Sequence, residues 1–277
     1  MTNVDLHCHS NRSDGVLSPS ALVRRAAAHG VGLLALTDHD QVAGLAEASQ
    51  TARETGIGFI PGVEVSVTWR GATVHVLGLR IDPDDAPLGA GLASVRSGRT
   101  RRAQAIAQAL RDAGIRDAFE GALRHVGDAA MISRTHFARY LAEIGAVTDV
   151  RDAFRHFLVP GRPGYVPHQW AALPEAVAWI CGAGGQAVLA HPGRYRLSAG
   201  AQRALLSEFR AAGGTGLEVV TSSHSSDQYR VFGTLARAYG LRASRGSDFH
   251  APNEGIEFGA LPAVELPVPA IWDGWSA

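Results

Sequence analysis

The chain contains 277 residues with 26 basic and 26 acidic side chains, so its formal net charge is zero. All of the basic residues are arginine, which excludes enzymes that need a Walker A lysine or a lysine Schiff base. The balanced charge argues against a nucleic-acid coat protein or a membrane-surface protein. Two cysteines do not form a disulfide framework, and the sequence shows neither a secretory leader nor an apolar run of 18 residues. We therefore expect a soluble, cytoplasmic protein.

Residues 1–85 alternate between short apolar runs and helical patterns, which is typical of βα units. Helices are predicted from the N-cap Ser18 to Gly30 and over 41–55. The predicted strands of this part span residues 4–9, 31–37, 57–60, 63–69 and 73–79. The same alternation returns in residues 165–277, where strands are predicted over 187–190, 217–221 and 242–247.

Residues 86–164 differ from both flanking parts, because they are rich in Ala and Arg, helical in period and without a convincing strand. One predicted helix ends at Gly114, another begins after the N-cap Ser133, and a third covers 149–158. This pattern predicts a helical insertion within an α/β domain that has a first part over 1–85 and a second part over 165–277. The Pro-rich segment 261–269 is expected to be extended and to close over the barrel.

Ionisable side chains recur where the predicted strands end. His7 and His9 lie two residues apart, so strand alternation directs both imidazoles to one face. Glu64 and His75 lie within apolar strands, where a polar group without a partner is costly. The other members of this set are Asp14, His39, His191, Asp248 and His250.

Any one of these nine residues could be a hydrogen-bonded core or surface group. Together they indicate a metal centre, because α/β barrels form their sites at the carboxyl ends of the strands. Nitrogen and oxygen ligands without thiolate suit Mn, Fe or Zn. Nine ligands exceed the needs of one ion with open water positions, so two or three ions are expected.

The sequence resembles the PHP (polymerase and histidinol phosphatase) family of phosphoesterases over all of the chain except the helical insertion. The motifs that establish the resemblance are Asp5-Leu6-His7-Cys8-His9-Ser10, Thr37-Asp38-His39-Asp40, Gly62-Val63-Glu64, Ala190-His191-Pro192 and Ser247-Asp248-Phe249-His250. The resemblance implies a distorted (β/α)7 TIM-like barrel with three metal ions. It also implies three ligand groups: His7, His9, Glu64 and Asp248; Glu64 with His75 and His191; and Asp14, His39 and His250.

The insertion supplies the predicted substrate-binding residues. The motif Ile132-Ser133-Arg134-Thr135-His136-Phe137 resembles the family branch of 3′,5′-nucleoside bisphosphate phosphatases and 5′→3′ exoribonucleases. Arg134 lies in the first turn of a predicted helix, where a cation is unfavourable unless an anion binds there. Arg134, His136 and the neighbouring backbone N–H groups are therefore predicted to form a phosphate cradle. Arg99, Arg101 and Arg102 begin another helix and are further candidates, with a solvated helix face as the alternative.

The predicted activity is hydrolysis of the 3′-phosphate of nucleoside 3′,5′-bisphosphates by a metal-activated hydroxide. Glu64 and His250 are candidate catalytic residues. His224 is a third candidate, as a group that supports the metal ligands or as the leaving-group acid, with an ordinary loop histidine as the alternative. The alternatives are 5′→3′ exoribonuclease activity on short 5′-phosphorylated RNA, histidinol phosphatase activity and a noncatalytic regulatory PHP module. The expected cofactors are two or three divalent ions, with Mn favoured over Fe or Zn. The expected partner is a nucleotide or short RNA, with no membrane and no obligatory protein partner.

Overall fold

The computed structural model describes residues 3–263 and 268–275. Eight strands form one sheet: β1 (Val4–Asp5), β2 (Leu33–Leu36), β3 (Gly58–Trp69), β4 (Ala72–Leu79), β5 (Ala171–Ala172), β6 (Gln186–Leu189), β7 (Gly216–Thr221) and β8 (Arg242–Gly246). Seven of them follow the order β1-β2-β3-β4-β6-β7-β8, and β5 pairs with β3 outside this path. The result is the predicted α/β barrel, a nearly closed seven-stranded TIM-like fold.

Helices alternate with these strands and form two groups. Those that flank the barrel are α1 (Pro19–Ala28), α2 (Leu45–Thr55), α3 (Ala86–Arg96), α8 (Leu173–Gly182), α9 (Ala199–Ala211) and α10 (Ser226–Ala238). Those between α3 and β5 are α4 (Arg99–Asp112), α5 (Ala118–Leu123), α6 (Arg134–Glu143) and α7 (Val150–Ala153), which continues as a π-helical turn over Phe154–Leu158. No helix in the described ranges has the length and apolar character needed to cross a membrane.

The strand directions depart from an all-parallel barrel. Arg70 and Gly71 both adopt positive φ, at 48° and 80°, and form a tight hairpin turn between β3 and β4. Strand β4 therefore runs antiparallel to β3 and to β6, whereas the other neighbours on the path are parallel. Glu64 and His75 lie within these two strands, as their apolar neighbours in the sequence predicted, and the two strands are antiparallel.

The barrel closes between its first and last strands. Strand β1 is shorter than the predicted 4–9, because after Asp5 its pairing continues only as separate hydrogen bonds and one isolated bridge, between Cys8 and Phe249. The Asp248 N–H donates to the His7 carbonyl at 2.8 Å, and the His9 N–H donates to the Phe249 carbonyl at 2.8 Å. This seam places two of the predicted metal-binding motifs side by side.

Two hydrophobic clusters reflect the two groups of helices. The larger cluster lies around the barrel and includes Leu88, Leu92 and Val95 of α3. A second cluster draws its buried residues from positions 103–158. Helix α3 thus packs with the barrel, while the division into residues 1–85, 86–164 and 165–277 stays a prediction. In the predicted C-terminal segment 261–269, residues 264–267 lie outside the described part, and the Pro269 carbonyl accepts the Ala243 N–H at 3.0 Å.

Candidate metal centre and active site

Glu64 lies at the centre of the predicted ligands and is fully buried. Strand β3 delivers it into the barrel opposite the end of β2, where its backbone N–H donates to the Asp38 carbonyl at 3.1 Å. Five histidine nitrogens surround its two oxygens: His75 Nδ1 at 2.9 Å and His191 Nε2 at 3.0 Å from Oε1, and His39 Nδ1 at 3.1 Å, His9 Nε2 at 3.2 Å and His7 Nε2 at 3.3 Å from Oε2. One carboxylate therefore joins five of the predicted ligands.

Two further carboxylates flank this centre. Asp248 Oδ1 lies 3.3 Å from His7 Nε2 and 3.2 Å from His9 Nε2. Asp14 Oδ1 lies 3.2 Å from His250 Nε2 and belongs to the other side of the cluster. All nine predicted ligands are thus brought together at one end of the barrel.

The cluster fits divalent metal ions. Three groups have potential ligand atoms within 4.8 Å of one another: His7, His9, Glu64 and Asp248; His9, Asp14, His39 and His250; and His39, Glu64 and His75. Several buried atoms of the cluster lack a hydrogen-bond partner among the described residues, namely His9 Nδ1, Asp14 Oδ1, His39 Nδ1, Glu64 Oε2 and His191 Nδ1. Buried polar atoms are normally paired, so atoms of this kind converging on one point suit a coordinated ion.

The pKa values of the cluster residues also show that its buried carboxylates are stabilised by nearby positive charge. Burial opposes the charge of Glu64, but the neighbouring His75 and His7 hold its pKa well below the usual range. Burial also opposes protonation of His9, yet hydrogen bonds to Asp248 and Glu64 raise its pKa to about 10. Protons on histidine balance the carboxylates here, and divalent ions would balance them equally well.

Four arginines line the cavity above the cluster, which has a volume of about 100 Å³: Arg99, Arg102, Arg134 and Arg194. Arg99 is paired with the buried Asp40. Arg102 donates to the Val166 carbonyl and Arg134 to the Leu158 carbonyl, each at 3.1 Å, and neither has a carboxylate partner among the described residues. Burial, with Arg134 and Arg99 nearby, lowers the pKa of Arg102 to about 9. Arg102 and Arg134 thus lie close together without a carboxylate partner among the described residues, an arrangement that suits a bound anion.

The structure does not bring three other predicted residues to this cavity. Arg101 is exposed on α4 and does not line it. His136 is fully buried, and its Nδ1 accepts the Ser133 N–H at 2.9 Å as part of a capping box at the start of α6. Ser133 Oγ in turn accepts the Thr135 N–H, so the helix cap already uses backbone groups that were predicted to bind phosphate.

His224 lies behind the cavity wall. Its Nε2 accepts the Gly193 N–H at 2.9 Å, and its Nδ1 lies 3.0 Å from the Val219 carbonyl. Burial lowers the pKa of His224 to about 4, so the ring is neutral at pH 7. With both nitrogens engaged, His224 supports the turn that bears His191.

Three residues that contact predicted metal ligands were not found from the sequence. Arg194, three residues after His191, lines the cavity and donates to Asp248 Oδ2 at 2.6 Å. Thr135 Oγ1 donates to Asp14 Oδ2 at 2.8 Å and connects α6 to the metal cluster. Glu218 is a buried carboxylate in the apolar strand β7, the same pattern that revealed Glu64, and it could have been found in the same way.

A barrel with a buried cluster of potential metal-binding His, Asp and Glu side chains beneath an arginine-lined cavity is the arrangement of a metal-dependent phosphoesterase. The chain belongs to the PHP family, since the PHP domain model matches residues 5–155.

Known proteins similar to the chain cover almost all of it. It is 54% identical to a 3′,5′-nucleoside bisphosphate phosphatase of Chromobacterium violaceum, over 92% of this chain and 90% of that protein. It is 42% identical to a 5′-3′ exoribonuclease of Haemophilus influenzae, over 97% of each chain. A solved structure from Bifidobacterium adolescentis, assigned as a metal-dependent phosphoesterase, superposes with a TM-score of 0.85 at 30% identity, covering 94% of this chain and 92% of that one.

Proposed function

We propose that the protein removes the 3′-phosphate from nucleoside 3′,5′-bisphosphates, such as adenosine 3′,5′-bisphosphate, and leaves the nucleoside 5′-monophosphate. The observation that supports this most directly is the pair Arg102 and Arg134, which have no carboxylate partner among the described residues and share a cavity with the metal cluster. In this proposal the metal cluster binds the 3′-phosphate, and the arginines bind the 5′-phosphate. The bisphosphate phosphatase among the relatives supports the same substrate.

The metal centre is proposed to use all nine predicted ligands. His7, His9, Glu64 and Asp248 would hold one ion, and Asp14, His39 and His250 another. Glu64 would hold a further ion with His75 and His191, which both contact its Oε1. Mn is favoured over Fe and Zn. Bound ions of this kind supply Lewis acidity and lower the pKa of water towards neutrality. Burial lowers the pKa of both His39 and His191 to about 3, which keeps these imidazoles in the neutral form that a ligand requires.

The protein side chains position the substrate between the two charged regions. Arg102 and Arg134 bind the 5′-phosphate, and Arg99, held by Asp40, adds positive charge beside them. Arg194 also lines the cavity, where it stabilises negative charge that develops on the phosphoryl oxygens. In this arrangement Glu64 and His250 act by holding the reacting centre, and His224 acts by supporting the turn after β6.

Kinetics of the Arg134→Ala variant test the anchoring role. Losing a charge-assisted contact to the 5′-phosphate should raise KM for adenosine 3′,5′-bisphosphate by about 10- to 100-fold. The KM for adenosine 3′-monophosphate, which has no 5′-phosphate, should change little. Arg101→Ala is the matched control, because Arg101 lies on α4 beside Arg102 but outside the cavity. Equal losses on both substrates would refute the anchoring role.

A groove next to the cavity favours a second activity, stepwise cleavage of short 5′-phosphorylated RNA. It has a volume of about 680 Å³ and shares Phe154, Arg194 and His250 with the cavity. Small-molecule sites occupy roughly 300–1,000 Å³, so the groove is large enough for nucleotides that follow the first one. The exoribonuclease relative supports this activity. Release of mononucleotides from a 5′-phosphorylated dinucleotide would demonstrate it, and a dinucleotide left intact would exclude it.

Two other activities are weaker proposals. A histidinol phosphatase has no need for a second phosphate site lined by arginines. A noncatalytic module is expected to have lost some ligands, whereas all nine are present here. The cytoplasmic location stays a prediction.

A further inference from the structure

Glu218 lies directly beneath the metal cluster and is not one of the nine ligands. Its side chain is fully buried. Its Oε1 lies 3.0 Å from His7 Nδ1, and its Oε2 accepts the backbone N–H of His191 at 2.6 Å. One carboxylate thus contacts a predicted ligand that follows β1 and another that follows β6.

The geometry of β7 explains why this side chain reaches both partners. The pairing of β7 with β8 shifts register between Glu218 and Val220, as it does at a β-bulge or a similar irregularity. Bulges increase the local twist and redirect a side chain, and they are frequent beside active sites. A charged residue is otherwise unfavourable in this strand, where every residue is buried.

The contact with His7 fixes which ring nitrogen faces the cluster. A carboxylate only accepts hydrogen bonds, so His7 Nδ1 must present its proton to Glu218. With an ion bound, Nε2 would present its lone pair to the cluster, where oxygens of Glu64 and Asp248 each lie 3.3 Å from it. Nε2 is the atom that would bind an ion in the first ligand group.

The contact with His191 holds a backbone conformation that few residues adopt. His191 has φ 25° and ψ 59°, in the left-handed region that is unfavourable for side chains other than Gly. The hydrogen bond from its N–H to Glu218 stabilises this bend. The bend directs His191 Nε2 to Glu64 Oε1 at 3.0 Å.

We propose that Glu218 is a positioning residue of the metal centre: it sets the tautomer of His7 and the backbone of His191, and so aligns ligands of two ions at once. The inference rests on the proposed metal centre but not on the proposed substrate. Carboxylates that orient metal-binding histidines in this way typically change metal affinity by about 10- to 100-fold when they are replaced.

The test is Mn²⁺ binding to the Glu218→Gln variant, followed by electron paramagnetic resonance of the free ion. Glutamine keeps the size of the side chain, but its amide N–H₂ donates where one of the two partners also donates. We expect Mn²⁺ affinity to fall by about 10- to 100-fold. Activity lost at low Mn²⁺ should return at high Mn²⁺, and ¹⁵N NMR should show the tautomer of His7 changing.

Glu47→Gln is the matched control, since Glu47 also accepts one backbone N–H, from Ser20, and one side-chain donor, Arg12, far from the cluster. It should bind Mn²⁺ as the wild type does. Unchanged affinity in Glu218→Gln, or an equal loss in Glu47→Gln, would overturn the role of Glu218. A wild-type protein that binds no Mn²⁺ would overturn the metal centre as well. If Glu218→Gln does not fold, Glu218→Asp replaces it, because the shorter carboxylate reaches only one of its partners and should also weaken binding.

Discussion

At the scale of single residues, the ion pair of Asp40 and Arg99 connects the barrel to the start of α4. Asp40 is fully buried and also accepts the N–H of Ser66 at 2.7 Å and its hydroxyl at 2.9 Å. Arg99 is only 5% exposed, and its guanidinium lies 4.9 Å from the centre of the Trp170 ring. The pair therefore holds one cationic wall of the cavity in place.

Asp40→Asn should destabilise the protein by about 3 kcal/mol, because it leaves the buried Arg99 without a counter-charge. Asparagine tolerates the left-handed backbone of this position, where φ is 51°. The decrease in the free energy of unfolding is therefore due to the lost charge and not to backbone strain. Urea unfolding measures the change. Glu54→Gln, which breaks the exposed pair with Arg24, is the control and should leave the free energy of unfolding nearly unchanged. Equal effects in the two variants would show that Arg99 does not depend on Asp40.

Most of the site could be predicted at this scale, because a charged residue in an apolar segment is conspicuous. Glu64, His75 and Asp248 were all found from their immediate neighbours in the sequence. The sequence does not show which partners a side chain contacts. That His136 caps its own helix while Arg134 reaches the cavity depends on side-chain directions, which the sequence pattern does not reveal.

At the scale of elements, the seam between β1 and β8 depends on a glycine. A Cβ placed on Gly246 would lie 2.2 Å from His7 Cβ and 2.6 Å from His7 N. Real Cβ atoms do not approach other heavy atoms this closely, so only glycine allows the two segments to meet here. The close approach brings His7 next to Asp248, two ligands that are more than 240 residues apart.

Gly246→Ala should force the seam apart and cost about 1 to 3 kcal/mol, as overpacked cores do. It should also weaken Mn²⁺ binding, because the backbone of His7 must move. Thermal unfolding and Mn²⁺ titration measure the two effects. Gly182→Ala is the control, since a Cβ at this exposed end of α8 meets nothing within 4 Å. A Gly246→Ala protein that matches this control would show that the seam has room for a side chain.

Two helix starts were predicted correctly, for a physical reason. The N-caps that begin these helices, Ser18 and Ser133, are local in sequence, and both were found. Strand pairing joins distant segments, so neither the shortness of β1 nor the small strand β5 could be inferred from the sequence.

At the scale of the whole molecule, the metal centre ties together segments from both parts of the barrel. Its ligands follow or belong to strands from β1 to β8, and Asp14 is bound in addition by Thr135 of α6. Ions bound at such a centre interact with the folded chain only, because unfolding separates their ligands. Metal binding is therefore coupled to the stability of the entire fold.

Removing the metal should lower the melting temperature. Mn²⁺ at about 100 times its Kd stabilises the folded state by about 2.7 kcal/mol, which corresponds to a rise in Tm of roughly 5 to 10 °C for a chain of this size. Calorimetry of the chelator-treated protein, before and after Mn²⁺ is added, measures the shift. Asp248→Asn, which changes a ligand of the first group, should show a smaller rise. An equal rise in this variant would place the bound ion elsewhere.

The central claim is that the arginine-lined cavity selects which phosphate of a bisphosphate reaches the metal centre. ³¹P NMR of adenosine 3′,5′-bisphosphate incubated with the Mn²⁺-loaded protein tests it most directly, because the 3′- and 5′-phosphates have distinct resonances. We predict loss of the 3′-phosphate resonance, with adenosine 5′-monophosphate and inorganic phosphate as the products. Loss of the 5′-phosphate instead, or no turnover with metal bound, would contradict the account.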